Sequence, residues 1–422
     1  MTDYIFALLV CLTIFNILRL VFYATASNLQ TIREHKARLD NQGKYYRPFV
    51  SVIVPAHNEG EVIERTLRSL INSNYPKSRL EIIVANDGST DDTAKRVRSF
   101  AARHRKQATI RLVTRPNRGK AEALNYAIRR RSKGSLVMCL DADSLVHQDC
   151  IKNSVRYFRD KEVVATASNV NIIEDGTLLG LAQRFEYLFS HHFKKAHSYA
   201  NMEYIIGGVG STFRRTIIQQ VEYYDSDTMT EDIDLTLKII RLGNKKHRVV
   251  FAGDAITYTE PVQTYGGLMR QRFRWKFGRM QSFYKNRQLF FSSDVRYTKQ
   301  LTMFLLPMTV VYEIFMLLEP LVIAYVVYVC IVSGSVETVM WAAATFITLL
   351  TMNIWASDHL DRLDRLRLTA YAPAMYVMLY GLIIVEYMAG LKSAVGVKNI
   401  ARSMTNGKTT WVSPTRNSNI SV

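Results

Sequence analysis

Two aspartates at the end of an apolar stretch are the first residues of this sequence that could do chemistry. The stretch SLVMCLDAD, at residues 135–143, ends in Asp141-Ala142-Asp143. If it is a strand, alternation places both carboxylates on one side, where they can hold a hard divalent cation through oxygen ligands. Such a cation can neutralise a diphosphate as charge develops on it. Because Asp-x-Asp arises often by chance, its position at a strand end is what makes it informative.

Acidic residues also follow two earlier predicted strands. VSVIVPA at 50–56 runs into His-Asn-Glu, with Glu59 last, and LEIIVAND at 80–87 ends in Asp87. A single aspartate at a strand end is commonly a helix cap or a turn residue. Three acidic strand ends on one rim favour a ligand site, because open α/β sheets bind ligands beyond the carboxyl ends of their strands.

A Gly-Lys pair lies between the third and fourth predicted strands, within RPNRGKAEALN at 115–125. At the N-terminus of a helix, Gly119 and Lys120 offer backbone N–H groups and a cation to a phosphate. The segment lacks the earlier Gly and the following Ser or Thr of a P-loop, which excludes an ordinary nucleoside triphosphatase.

The elements that must position these residues repeat as strand, turn and helix. Predicted strands at 50–56, 80–87, 109–114 and 135–143 alternate with helical segments such as 59–72. Buried strands that alternate with helices predict an α/β domain with a mostly parallel, doubly wound sheet.

Composition places this domain in a membrane protein. The chain has 422 residues, and a hydrophobic content of 48% excludes a disordered chain. Apolar runs at 4–23, 303–332, 338–355 and 370–391 approach the ~20 residues that a bilayer core requires. The first run has no basic segment before it and no small-residue cleavage site after it, which predicts a retained anchor rather than a signal peptide.

The net charge of +19, from 55 Lys and Arg against 36 Asp and Glu, is concentrated in blocks. Basic blocks at 24–48, 268–290 and 392–422 flank apolar runs, which predicts the cytoplasmic side and attraction to anionic lipid. A nucleic-acid partner is disfavoured, because no recognised binding motif accompanies the charge. Four spans would return the basic tail to the outside, and this conflict stays open. The four cysteines have no paired or metal-binding spacing, which predicts reduced thiols.

The chain therefore divides into six predicted regions, and the third carries the motifs above. They are a membrane helix at 1–24, a basic linker at 25–48, a cytoplasmic domain at 49–265, an amphipathic interfacial segment at 266–300, a membrane region of about three spans at 301–392 and a basic tail at 393–422. The predicted fold is an α/β domain inserted between transmembrane helices.

Five short motifs carry a resemblance to a known family. They are Asn86-Asp87-Gly88, Asp141-Ala142-Asp143, Gly210-Ser211 before Arg214-Arg215, Thr230-Glu231-Asp232 and Gln271-Arg272-Phe273-Arg274-Trp275. Together they resemble the membrane-embedded family 2 glycosyltransferases with a GT-A fold, such as the chitin-oligosaccharide, hyaluronan, cellulose and poly-N-acetylglucosamine synthases. The resemblance runs from Val50 to about Lys285, and its last two motifs are specific for processive members.

The resemblance implies a role for each matching residue. Asp232 is implied as the general base that takes a proton from the acceptor hydroxyl, with Glu231 beside it. The implied donor-binding residues are Pro55, Ala56, Glu59, Asp87, Lys120 and Asp141. The implied metal ligands are Asp143 and Asp141. The implied acceptor and diphosphate site consists of Gly210, Ser211, Gln271, Arg272, Arg274 and Trp275. Trp275 would stack on the terminal sugar, and either Arg272 or Arg274 would lie near the diphosphate.

The function implied is that of an inverting, processive β-glycosyltransferase. It would use a UDP-sugar, with N-acetylglucosamine as the first expectation, and Mg²⁺ or Mn²⁺, and would pass a growing polysaccharide across the plasma membrane from a cytoplasmic domain. A homo-oligomer or an accessory export or modifying protein is a candidate partner, because three C-terminal spans make a slim channel. The alternative is a transferase that adds one sugar to a lipid or lipid-linked acceptor. A silent polymer-binding protein is disfavoured, because every acidic motif is intact.

One segment departs from the family pattern. Many relatives carry Trp-Gly-Thr-Arg near the catalytic mouth, whereas this tail reads WVSPTR, with Trp411 and Arg416 two residues further apart. The spacing leaves open whether these two residues join the site. If they do, the tail must lie on the cytoplasmic side, which agrees with its charge.

Overall fold

The computed structural model describes residues 2–40, 46–334, 336–357 and 360–405, so Trp411 and Arg416 lie outside the described residues. The strands are β1 Val50–Ala56, β2 Leu80–Asp87, β3 Thr109–Arg115, β4 Leu136–Cys139, β5 Leu145–Val146, β6 Val163–Ile172, β7 Ser211–Arg214 and β8 Arg248–Thr259. The helices are α1 Thr2–Asp40, α2 Ile63–Ile71, α3 Thr93–Arg103, α4 Lys120–Arg130, α5 Cys150–Tyr157, α6 Leu178–Tyr199, α7 Arg215–Gln220, α8 Glu231–Ile240, α9 Tyr265–Lys285, α10 Leu306–Ser333, α11 Val336–Trp355, α12 Arg362–Val397 and α13 Ile400–Thr405.

One eight-stranded sheet organises the central domain, in the order β3-β2-β1-β4-β7-β6-β8-β5. Strands β3, β2, β1 and β4 are parallel, and so are β6 and β8. Strand β7 is antiparallel to both of its neighbours, and β5 is antiparallel to β8. The predicted α/β fold with a mostly parallel sheet is confirmed, and β7 and β5, neither of which was predicted, make the sheet mixed.

The sequence of β1, apolar at every position but Ser51, suits a strand that is covered on both faces. Alternate residues Val50, Val52 and Val54 pack into a core with side chains of α2, α3 and α5. Ile53 points the other way, into a core that includes side chains of α4, α6 and α8. The strand is therefore fixed in register from both sides, and its carboxyl end is presented at the rim.

Long helices lie on both sides of this domain in the sequence. By length and composition, Gln300–Ser333 and Arg362–Val397 could each cross a membrane, and α11 contributes the shorter apolar segment Ala343–Trp355. Helix α1 continues through the boundary predicted at residue 24, so residues 25–40 are helical, and Ala26 and Glu34 are buried. Side chains of α11 and α12 share a core cluster with side chains of α6 and α9.

Candidate active site

The carboxylate of Asp87 ties the end of β2 to the loop before α4. It accepts hydrogen bonds from the backbone N–H groups of Arg118, at 3.2 Å, and Gly119, at 2.7 Å. The guanidinium of Arg115 lies 3.7 Å away. Gly119 has a φ of +94°, a conformation that glycine adopts without a steric cost. Asp87 therefore shapes the loop from which α4 begins at Lys120.

The ammonium group of Lys120 joins three of the predicted motifs. Its Nζ lies 2.7 Å from Oδ1 of Asp141 and 3.4 Å from Oε1 of Glu231. Burial lowers the pKa of Lys120, but the charges of Asp141, Glu231 and Asp232 outweigh burial and raise it above its ordinary value. Lys120 is thus a permanent cation among carboxylates that come from different parts of the chain.

The two aspartates after β4 lie in a turn and not on the strand. Strand β4 ends at Cys139, and the N–H of Ser144 donates to the carbonyl of Asp141 at 3.0 Å. Cys139 pairs with Ser211, the first residue of β7, so β4 has no partner on that side beyond this point. The prediction that strand alternation aligns Asp141 and Asp143 was wrong for this reason.

The turn separates the surroundings of the two carboxylates. The carboxylate of Asp141 contacts Lys120. The carboxylate of Asp143 is half-exposed and accepts a hydrogen bond from the hydroxyl of Ser144 at 2.9 Å. Both belong to one short loop at the rim of the sheet. Both carboxylates are partly exposed, so both can be reached by a bound molecule.

Helix α8 begins at Glu231, so the next residue, Asp232, lies in its first turn. Oδ1 of Asp232 accepts a hydrogen bond from the N–H of Ile233 at 2.8 Å. Burial and the charge of Glu231 raise the pKa of Asp232 to about 6, against the lowering effects of Lys120 and Arg274. A carboxylate with this pKa is ionised at neutral pH and can still accept a proton effectively.

A glycine of α9 brings that helix against the start of α8. A Cβ added to Gly278 would lie 2.7 Å from Cγ2 of Thr230 and 2.9 Å from its backbone nitrogen. Thr230 is the residue that precedes Glu231, so this contact sets the distance between α9 and Asp232. Gly278 was not among the predicted site residues, because its role depends on a contact between two segments distant in sequence.

The QRFRW segment lies within α9, and its two arginines have different surroundings. Arg272 is 5% exposed, and its guanidinium contacts Glu186 at 2.6 Å and Glu386 at 3.0 Å. The same group lies 4.5 Å from the ring centroid of Trp275. Arg274 is exposed and lowers the pKa of Asp232, which places its charge near that carboxylate. Gln271 is half-buried.

Other predicted site residues hold the rim in shape. Gly210 has a φ of +68°, and a Cβ there would lie 2.6 Å from Cγ2 of Thr257. Ser211 is buried in β7. Pro55 and Ala56 end β1, where they pair with Ala85 and Asn86. Glu59 is buried, and its N–H donates to Oγ1 of Thr93 at 2.9 Å, which joins the end of β1 to α3.

Comparison with known proteins identifies the family. Residues 47–278 match a family described as glycosyltransferase like family 2. The chain belongs to this family. The predicted recognition is therefore confirmed and, at the level of the family, so is the predicted enzyme class.

Two curated relatives of this family 2 member are poly-β-1,6-N-acetyl-D-glucosamine synthases from staphylococci. The one from Staphylococcus aureus strain COL is 33% identical over 231 residues, which are 54% of each chain. The one from Staphylococcus epidermidis is 31% identical over 259 residues, 61% of this chain and 60% of the relative. The chain thus spans about half the length of the curated relatives it matches.

A solved structure supports the predicted GT-A fold. It is a mannosyltransferase from Pyrobaculum calidifontis in complex with GDP-mannose and Mn²⁺, and it is 22% identical to this chain. The match covers 90% of this chain and 97% of the mannosyltransferase, with a TM-score of 0.57. At this identity the likeness concerns the fold alone.

The loop after β4 has the donor chemistry for a hard divalent cation. Asp141 and Asp143 offer carboxylate oxygens, and Mg²⁺ sites commonly use only one or two carboxylates together with phosphate oxygens. Asp143 is half-exposed, so an ion held there could also contact a diphosphate. The residues of this family 2 member therefore fit the predicted cofactor, although their chemistry does not discriminate between Mg²⁺ and Mn²⁺.

A second acidic cluster is formed by α8 and the segment that precedes it. Carboxylate oxygens of Asp225, Asp227 and Asp234 lie within 4.8 Å of one another. Nζ of Lys285 donates to all three, at 2.5, 2.7 and 3.0 Å. Lys285, together with Lys238, whose Nζ lies 2.9 Å from Oδ1 of Asp225, offsets most of the negative charge of this cluster, and Lys285 fixes the end of α9 to α8.

A glycine that the sequence analysis missed contacts the charged cluster. A Cβ on Gly208 would lie 2.8 Å from Nζ of Lys120 and 3.4 Å from both carboxylate oxygens of Asp141, whereas a Cβ on Gly207 would meet nothing within 4 Å. The Gly-Gly doublet was visible in the sequence, but only the fold shows which glycine approaches the cluster.

Replacing Gly208 with alanine should impair activity without unfolding the protein. The new methyl group displaces the flexible end of Lys120, and we expect kcat/KM for the sugar donor to fall by about 10- to 100-fold. Steady-state rates and thermal unfolding should be measured beside the Gly207→Ala variant. Equal activity of the two variants would contradict the role given to the Lys120 cluster.

Proposed function

We propose that this family 2 glycosyltransferase transfers N-acetylglucosamine from UDP-N-acetylglucosamine to the growing end of a β-1,6-linked polymer, with inversion at the anomeric carbon. The observation that carries the proposal is the cluster in which Lys120 contacts Asp141 and Glu231 beside Asp232. It joins a candidate donor loop to a carboxylate of suitable pKa. The names of the staphylococcal relatives support the choice of sugar and linkage.

In the proposed reaction, Asp232 is the general base. Its carboxylate takes the proton of the acceptor hydroxyl while the hydroxyl oxygen forms a bond to the anomeric carbon of the donor sugar. The bond from that carbon to the diphosphate breaks from the opposite face, and UDP leaves with the bonding electrons. When bound at Asp143 and Asp141, a divalent cation supplies positive charge to the diphosphate oxygens.

The other predicted site residues take supporting parts in this proposal. Asp87 shapes the donor loop through its hydrogen bonds to Arg118 and Gly119. Trp275 offers an aromatic face for the acceptor sugar. Arg274, exposed and electrostatically coupled to Asp232, is the better placed of the two motif arginines to contact the diphosphate.

We also propose that the enzyme is processive and works in the plasma membrane with its catalytic domain on the cytoplasmic side. Two helices of sufficient length and apolarity support a membrane location. The basic blocks beside the apolar runs support the orientation. On this proposal the polymer leaves through the membrane region, with a second copy or an accessory protein completing the path. Addition of one sugar to a lipid-linked acceptor is the alternative.

Product length tests the proposal directly. Purified protein in lipid vesicles should convert UDP-N-acetylglucosamine, but not UDP-glucose or UDP-galactose, into chains of many units with Mg²⁺ or Mn²⁺ present. Products should be sized by mass spectrometry, and their linkage determined by methylation analysis. Products with one added sugar would remove the processive claim, and a preference for another donor would overturn the choice of sugar.

The pH dependence of turnover tests the assignment of the base. Because Asp232 must be ionised to accept a proton, kcat should fall about tenfold per pH unit below its pKa of about 6. Glu231 raises that pKa, so Glu231→Gln should move the acid limb of the profile to lower pH. An acid limb that stays in place in this variant would show that another group controls it.

A further inference from the structure

Helix α9 is joined to three other helices by a balanced group of charges, of which Arg272 and Lys276 are buried. The cations are Arg272, Lys276 and Arg279 of α9, and the carboxylates are Glu186 of α6, Glu313 of α10 and Glu386 of α12. Three cations and three carboxylates leave this group without net charge. Two of the carboxylates lie on the helices that are long and apolar enough to cross a membrane.

Glu386 contacts Arg272 and Lys276 at once, whereas Glu313 contacts Lys276 and Arg279. Oε1 of Glu386 lies 3.0 Å from Nε of Arg272, and its Oε2 lies 2.9 Å from Nζ of Lys276. The side chains of these two cations are only 6% and 8% exposed. A buried cation is costly unless it is paired, so Glu386 stabilises this position of α9 against α12.

The contacts of Arg272 extend this constraint to an aromatic ring. Glu186, on α6, contacts the guanidinium at 2.6 Å. The guanidinium also lies 4.5 Å from the ring centroid of Trp275. A guanidinium that contacts two carboxylates has little conformational freedom. Its cation–π contact restricts the orientation of the Trp275 ring as well. The guanidinium of Arg272 is therefore occupied by contacts within the protein, and Arg274 is the arginine of the motif that can contact a ligand.

We infer that Glu386 is a positioning residue for the acceptor: through Arg272 it fixes the orientation of Trp275, and through Lys276 it fixes α9 against α12. The inference rests on the proposed function, in which Trp275 receives the terminal sugar. Glu386 itself contacts neither substrate. Loss of the Glu386 carboxylate should therefore weaken binding of the acceptor. It should leave the donor site, which is built on the sheet, unchanged.

The test compares Glu386→Gln with Glu386→Asp and with the control Glu319→Gln. Glu319 is a carboxylate of α10 for which the described part of the chain provides no ion pair. KM for β-1,6-linked N-acetylglucosamine oligosaccharides should rise about tenfold in Glu386→Gln, with KM for UDP-N-acetylglucosamine unchanged. Glu386→Asp should recover part of this loss, and Glu319→Gln should behave as the unaltered protein.

Two further measurements keep the inference testable if Glu386→Gln folds poorly. Arg272→Lys keeps the charge but loses the planar stacking group, and it should show the same acceptor defect. The emission of Trp275, obtained by subtracting the spectrum of the corresponding Trp275→Phe protein, should change in both the Glu386→Gln and Arg272→Lys backgrounds.

The outcomes separate this inference from the proposed function. Failure of the unaltered protein to transfer sugar would overturn the proposed function. Normal transfer with equal acceptor KM and equal Trp275 emission in Glu386→Gln would overturn only the positioning role. A uniform loss of kcat with both KM values unchanged would also overturn it, since that pattern indicates a smaller fraction of folded enzyme.

Discussion

Replacing Asp232 with asparagine should reduce kcat by about 10²- to 10⁴-fold while UDP binding and folding are retained. The amide has the same shape and can still accept the hydrogen bond from the N–H of Ile233, but it cannot take a proton from a hydroxyl. Lys120 keeps Asp141 and Glu231 as partners in the variant. Initial rates of UDP release, UDP titration and thermal unfolding would measure the three properties.

The matched control is Asp92→Asn, the same chemical change at an exposed site. Asp92 pairs with Arg96 along α3, with both side chains about half exposed. Such pairs contribute little to stability, so this variant should match the unaltered protein. Turnover of Asp232→Asn within twofold of the control would mean that the base has been assigned wrongly.

Replacing Asp143 with alanine should remove the dependence of UDP binding on the metal. The half-exposed carboxylate of Asp143 is the group best placed to share a cation with a diphosphate. We expect the affinity for UDP in the presence of Mn²⁺ to fall by about 100-fold, to the level seen with EDTA, because even outer partners of metal ligands cost 10- to 100-fold when lost. Titration calorimetry with and without Mn²⁺ measures this without requiring turnover.

Asp227→Ala distinguishes the two acidic groups of the domain. Asp227 belongs to the cluster whose three carboxylates contact Lys285, so its loss should leave metal-dependent UDP binding intact. If the Asp227 variant loses this binding and the Asp143 variant keeps it, the cation must bind at the cluster rather than in the loop after β4.

The strands that could be predicted from sequence are those whose ends are set locally. The predicted bounds of the first two are those of β1 and β2, and the third differs by one residue, because each is a short apolar run with polar or turn-forming residues at its end. The fourth was predicted to end four residues too late and to begin one residue too early. Its end depends on β7, which begins about 70 residues later at Ser211, and no local signal marks that pairing.

The site shows the same division between local and distant information. Lys120 was predicted because a Gly-Lys pair at a helix start is readable in a short window, and Asp232 was predicted from the resemblance of its motif to the family. Gly278 and Gly208 gain their importance from contacts with distant segments, so composition could not single them out. Glu386 did leave a signal, because a carboxylate inside the apolar run at 370–391 is costly unless it has a partner.

The ion pair between Arg272 and Glu386 also has a consequence for how the chain is made. At about 5–20 residues per second, the ribosome completes α9 several seconds before it completes α12. During that interval Glu186, and then Glu313, become available to the nascent α9, but Glu386, which contacts both Arg272 and Lys276, has not been synthesised. The finished arrangement around Trp275 therefore cannot form before Glu386 has been synthesised. It becomes available only when the last long helix has been synthesised and packed against α9.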